Sequence, residues 1–154
     1  TIPDPEFPWE MDLFVSNTGE GNHLYRNNND GTFTNIGTEI GVAANSTCWG
    51  SAWTDHNNDG WQDLFASSAP LNDLVTPENF FFQNQFGVSF VDSTASLGFG
   101  EENENGYAVC QADYDRDGLE DLLIAPGNSE TRLYHNLGTN QQANHWVSLK
   151  LIGQ

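Results

Sequence analysis

The residues best suited to chemistry in this sequence are oxygen ligands on two short loops. The run Asp113–Asp121 places Asp113, Asp115, Asp117 and Asp121 at relative positions 1, 3, 5 and 9, with Gly118 at position 6. The run Asp55–Asp63 repeats the frame with Asp55, Asn57, Asp59 and Asp63, and Gly60 in the turn slot. Hard oxygens at alternate positions of a curling loop are what calcium requires, since it takes about six to eight of them at roughly 2.3–2.6 Å. Position 7 of such a loop gives a backbone carbonyl, here that of Trp61 and of Leu119. The second loop carries Asp115 where the first has Asn57, so charge count predicts tighter binding at 113–121. Asp, Asn and Gly also build turns with no metal present, but a frame repeated with its glycine in place favours two Ca2+ sites. The ion's expected role is to brace the fold and offset carboxylate repulsion.

The elements around these loops are strands. An EF-hand needs a bidentate Glu at position 12, which here is Ala66 in one loop and Ile124 in the other. Each motif-ending aspartate instead opens an apolar strand, Leu64-Phe65-Ala66 or Leu122-Leu123-Ile124, and Asp12-Leu13-Phe14-Val15 has the same form. A second repeated unit reads Leu24-Tyr25-Arg26-Asn27, Phe81-Phe82-Gln83-Asn84 and Leu133-Tyr134-His135-Asn136. Asp63 and Asp121 lie 58 positions apart. Short alternating strands broken by Asn, Asp and Gly turns at a period of about 50–60 residues indicate an all-β fold of propeller-type blades, each of four antiparallel strands. No segment shows sustained helical periodicity.

About two and a half blades fit the chain. Residues 1–44 read as a partial blade with a degenerate loop, since Pro8 and Trp9 replace the usual Asp and Gly ahead of Asp12. Residues 45–100 form a blade around loop 55–63. Residues 101–154 form another around loop 113–121, with a last alternating strand at 145–151. A blade with no neighbour exposes an apolar face and open strand edges. The chain is therefore expected to meet other protein chains or the rest of a larger propeller, closing into a ring or extending as a filament. Thr1 in place of an initiator Met reads as a processed product or a fragment.

The totals narrow the partners. With 22 acidic and 4 basic side chains the net charge is −18, which repels nucleic acid and anionic membrane surfaces. Two bound calcium ions would neutralise about 4 charges and leave roughly −14. No apolar stretch approaches the ~20 residues of a membrane span, so no membrane insertion is expected. Aromatic residues make up 12% of the chain, which argues against disorder.

The runs Leu24–Thr34, Asp55–Leu64 and Asp113–Leu122 resemble the hallmark of FG-GAP/VCBS repeats. The arrangement, ending in Asn144–Leu151, is most similar to the acidic secreted cartilage protein (ASPIC/UnbV) group and also resembles integrin α-chain propeller repeats. The resemblance covers about Asp12 to Gly153 and implies calcium ligands in both intact loops and an extracellular setting. It departs from the family in the degenerate first loop and in the number of blades, which falls short of the usual seven.

Other features add less. Cys48, Cys110 and the Asn45-Ser46-Thr47 glycosylation sequon fit a secreted protein. Cys48 aligns with Gly106 and Cys110 with Ala52, an offset of roughly 13 Å along the strand against the about 7 Å a disulfide allows. Convergence of strands toward a propeller axis would narrow that gap, so a bridge and two free thiols both fit. His56 is expected to face solvent and His135 to be an ordinary strand residue. No His, Ser and Asp set has catalytic spacing, so no enzyme activity is expected. Trp49 and Trp53, four apart on one strand, are expected on one face between blades. Trp61, after a loop glycine, is the better candidate to stack on a glycan, which supports an alternative reading as a glycan- or protein-recognition module.

Overall fold

A computed structural model describes residues 11–44, 46–68, 79–99, 106–127 and 130–138. These form three antiparallel sheets in chain order. The first holds β1 (Leu13–Val15), β2 (His23–Asn27) and β3 (Phe33–Asn35). A single helical turn, α1 (Gly37–Ile40), follows. The second sheet holds β4 (Cys48–Thr54), β5 (Asp63–Ser68), β6 (Phe80–Gln85) and β7 (Ser89–Asp92). The third holds β8 (Ala108–Ala112), β9 (Asp121–Ala125) and β10 (Arg132–Tyr134). Each sheet is a meander of neighbouring strands, the all-β, propeller-type architecture that the repeats predict.

The register shows what each sheet lacks among the described residues. β1, β2 and β3 are the counterparts of β5, β6 and β7, so the first sheet has the later strands of a blade. β8, β9 and β10 match β4, β5 and β6. The expected strand at 145–151 and the decayed loop ahead of residue 11 lie outside the described residues.

Side chains of a strand alternate between faces, and the central sheet buries both. Leu64, Ala66 and Phe82 join Phe14, Leu24, Ile40 and Val42 in a core between the first and second sheets. Phe65 and Phe81 point the other way and join Leu122 and Ile124 in a core between the second and third. This is why Leu64-Phe65-Ala66 in β5 is apolar without alternation and every residue of the strand is buried. Fully burying Leu64 and Phe65, both at 0% exposure, contributes about 1.5–3 kcal/mol each. Among the described residues, each outer sheet has one neighbouring sheet. Leu13 and Val15 on the first and Leu123 and Leu133 on the third are exposed.

Two local features depart from the sequence reading. The turn α1 spans four residues, too few to show a period; its first N–H, that of Gly37, donates to Asn35 Oδ1 at 3.1 Å. A bulge in β4 between Cys48 and Ser51 inverts the alternation. Trp49 and Trp53 therefore do not share a face. Trp53 packs on the first core, near Phe90, whereas Trp49 is exposed beside Tyr107, just ahead of β8, with ring centroids 5.5 Å apart.

Candidate metal centres

Both loops connect the first and second strands of a blade. β4 ends at Thr54 and β5 begins at Asp63; β8 ends at Ala112 and β9 begins at Asp121. The flanks are strands in both cases, as the sequence requires once the EF-hand is excluded.

The loops agree bond for bond. The N–H of Asp59 donates to Asp55 Oδ1 at 3.0 Å, and that of Asp117 to Asp113 Oδ1 at 3.0 Å. Gly60 N–H reaches Asp55 Oδ2 at 2.9 Å, and Gly118 N–H reaches Asp113 Oδ2 at 3.0 Å. Asn57 Oδ1 and Asp115 Oδ1 accept from the same amides, Asp59 N–H and Asp117 N–H, at 3.1 and 3.2 Å. Asp59 Oδ1 accepts from Trp61 N–H at 2.8 Å, and Asp117 Oδ1 from Leu119 N–H at 2.9 Å. The turn itself uses two left-handed residues. Gly60 and Gly118 have φ of 88° and 89°, and Asn58 and Arg116 at position 4 have φ of 53° and 67°. The glycine is readable from the motif, while the left-handed position 4 is not, because Arg carries no preference for it.

The closing aspartate has a role the motif does not reveal. Asp63 Oδ1 accepts the Asn84 N–H at 2.7 Å, and Asp121 Oδ1 accepts the Asn136 N–H at 2.8 Å. In the first unit, Asp12 Oδ1 accepts the Asn27 N–H at 3.0 Å. The clamp from the start of the second strand to the end of the third is thus present in all three units, including the one whose preceding loop is degenerate. The repeated Asn of the Leu-Tyr-x-Asn unit is its partner, a pairing that the shared period could have suggested.

Asp113, Asp115 and Asp121 bring carboxylate oxygens within 4.8 Å of one another. In the first loop Asn57 Nδ2 donates to Asp59 Oδ2 at 2.9 Å. Burial holds the Asp55 carboxyl above the ordinary carboxylate range, with the Gly60 and Asp59 amides acting against it. These donor sets are oxygens held inward by their own loop amides, and they fit a hard divalent cation, whose charge would offset the repulsion.

Both histidines contact loop carboxylates, where His56 was expected to face solvent and His135 to be an ordinary strand residue. His56 is turned inward at 14% side-chain exposure. Its Nδ1 hydrogen-bonds Asp63 Oδ2, which also takes the His56 N–H, and its ring meets Phe81 edge-on at 4.9 Å. Apolar Phe81 gives an intervening loop residue a surface to cover, which the spacing of ligands does not disclose. His135 lies just beyond β10, with Nε2 3.0 Å from Asp115 Oδ2. A second group, Asp115, Asp117 and His135, thus brings ligand atoms within 4.8 Å of one another.

The other candidates fall elsewhere. Cys48 and Cys110 are free, Cys48 buried and Cys110 exposed. Burial raises the Cys48 thiol above its ordinary value, with the Asn22 amide acting against it. The sheets approach at Gly50, where a Cβ would lie 3.1 Å from Ala108 Cα, so the strands meet without bringing the two sulfurs together. Trp61 is half-buried. Asn45 lies outside the described residues.

Comparison with known proteins agrees with the repeat. Residues 10–66 match the FG-GAP-like repeat family. Cartilage acidic protein 1 of Xenopus tropicalis is 30% identical over 107 residues, covering 70% of this chain and 16% of that protein. The Homo sapiens protein of the same name is 37% identical over 62 residues, 40% of this chain and 9% of its own length. Integrin alpha-3 of Mus musculus is 33% identical over 131 residues, 76% of this chain and 12% of that protein. The chain spans less than a fifth of each of these relatives. Three propeller-type sheets, an FG-GAP-like repeat matched over residues 10–66 and modest-identity homology to cartilage acidic protein 1 and integrin alpha-3 thus point the same way.

Proposed function

We propose that this chain is an extracellular, calcium-braced interaction module. The observation that carries the reading is the bond-for-bond agreement of the two loops, each turning its Asp and Asn oxygens inward on its own amides. A calcium ion in each loop would supply charge neutralisation and a cross-brace between first and second strands. Asp55, Asn57, Asp59 and Asp63, with the Trp61 carbonyl, would hold one ion. Asp113, Asp115, Asp117 and Asp121, with the Leu119 carbonyl, would hold the other. Residues 1–44, 45–100 and 101–154 are read as successive blades. Thermal melting tests the assignment: millimolar calcium raises the midpoint and chelator lowers it, and a midpoint insensitive to both would defeat it.

The work of the module is binding to protein, with no catalytic step. Leu13 and Val15 at one end and Leu123 and Leu133 at the other are apolar sheet faces of the kind that pack against each other inside the molecule. Further blades of a longer chain or a second copy would cover them. Light scattering and electron microscopy with and without chelator distinguish these: copies that assemble give rings or filaments, whereas a strictly monomeric chain points to the remainder of a propeller. A second reading, recognition of a protein or glycan ligand, is favoured by the similarity to integrin alpha-3 and by Trp61 at the loop. A flat response on a glycan array would count against the glycan form of it.

A further inference from the structure

The two loops are tied to each other across sixty to eighty positions of sequence. Asp55 N–H donates to Glu120 Oε2 at 3.2 Å. Asn58 Nδ2 donates to Gly118 O at 2.9 Å. Asn136 Nδ2 donates to His56 O at 2.7 Å. On the first loop these bonds hold the leading ligand residue, the left-handed turn residue and the histidine that grips Asp63. On the second they come from positions 6 and 8 and from the asparagine whose own N–H is clamped by Asp121.

We propose that the two loops take up calcium as a coupled pair, with Glu120 acting as a positioning residue for the loop to which it does not belong. This rests on the reading of both loops as calcium sites. The second loop, with one more carboxylate, fills first. Filling it fixes Gly118, Glu120 and the Asp121–Asn136 clamp, so the first loop has less freedom left to lose when it closes. Coupling is then positive and reciprocal. Couplings between sites commonly span about 5–150-fold, and three hydrogen bonds place this one at the low end, about five- to tenfold.

Calorimetric titration of the whole chain with calcium tests the inference. Asp117→Ala disables the second loop, and the first should then bind about five- to tenfold more weakly than in the parent chain. Asp59→Ala disables the first loop, and the second should weaken by the same factor, a reciprocity that simple misfolding would not reproduce. Glu120→Ala should weaken the first loop, whereas Glu120→Gln, which keeps an acceptor for the Asp55 N–H, should restore part of the loss. Asn58→Gly keeps the left-handed turn, removes only the bond to Gly118, and should lower the coupling. Calcium uptake by both loops with affinities unchanged in the single-loop variants would overturn the coupling while leaving the sites intact. A first loop indifferent to Glu120→Ala would overturn the role of Glu120. Absence of any calcium uptake by the parent chain would instead remove the reading on which the inference stands.

Discussion

Asp63 should stabilise the fold even when no calcium is present. It is fully buried, and its carboxylate accepts the Asn84 N–H at 2.7 Å, the His56 N–H at 3.3 Å and the His56 ring. Asp63→Ala leaves the buried Asn84 amide and an inward imidazole without their acceptor. Hydrogen bonds to a charged group contribute about 1.5–3 kcal/mol each, and abandoned buried donors add their desolvation cost. The first bond is short and buried, the second long, so the loss should be about 3–5 kcal/mol. At roughly 2–4 °C per kcal/mol for a chain of this size, the melting midpoint should fall by roughly 6–20 °C. The assay is thermal or urea unfolding in chelator, beside Asp59→Ala as the comparison. Asp59 meets only its own loop in the bonds above, so its variant should melt near the parent in chelator and lose the calcium-induced gain. An Asp63→Ala chain that melts within a degree or two of the parent in chelator would refute the clamp and reduce Asp63 to a ligand.

Three further outcomes follow from the packing. A Cβ on Gly106 would lie 2.7 Å from Ser67 Cβ and 2.8 Å from Ile124 Cγ2. Gly106→Ala should therefore cost about 1–3 kcal/mol in denaturant unfolding by forcing the second and third sheets apart. A thiol reagent should modify Cys110 at once and Cys48 only on unfolding, because burial keeps the Cys48 sulfur protonated and covered; mass spectrometry of the labelled chain reads the order. Leu123→Arg, on the uncovered face of the third sheet, should change stability by no more than about 0.5 kcal/mol yet abolish any calcium-dependent self-assembly seen by light scattering.

The repeats made the strands readable because each strand of a blade recurs with its own turn. Asp63 and Asp121 open β5 and β9 where the motif ends, and the Leu-Tyr-x-Asn units fall on β2, β6 and β10. The ligand frame was equally plain, since its spacing is local. What escaped was every feature set by tertiary partners. His56 turns inward because Phe81 and Asp63 are there to receive it. The bulge in β4 inverts Trp49 relative to Trp53, and the run Cys48-Trp49-Gly50-Ser51-Ala52-Trp53-Thr54 carries no apolar–polar alternation in which a change of parity would show. The bonds that Asp55, Asn58 and His56 make with Glu120, Gly118 and Asn136 depend on how two blades abut, which periodicity along one chain does not encode.

Two calcium ions, one in each loop, would brace this fold. Native mass spectrometry of the chain titrated with calcium measures their binding most directly. The expected result is uptake of two ions by the parent chain, one ion after either Asp59→Ala or Asp117→Ala, and none after both. A parent chain that takes up no calcium at millimolar concentration, or that still takes up two ions after both substitutions, would contradict it.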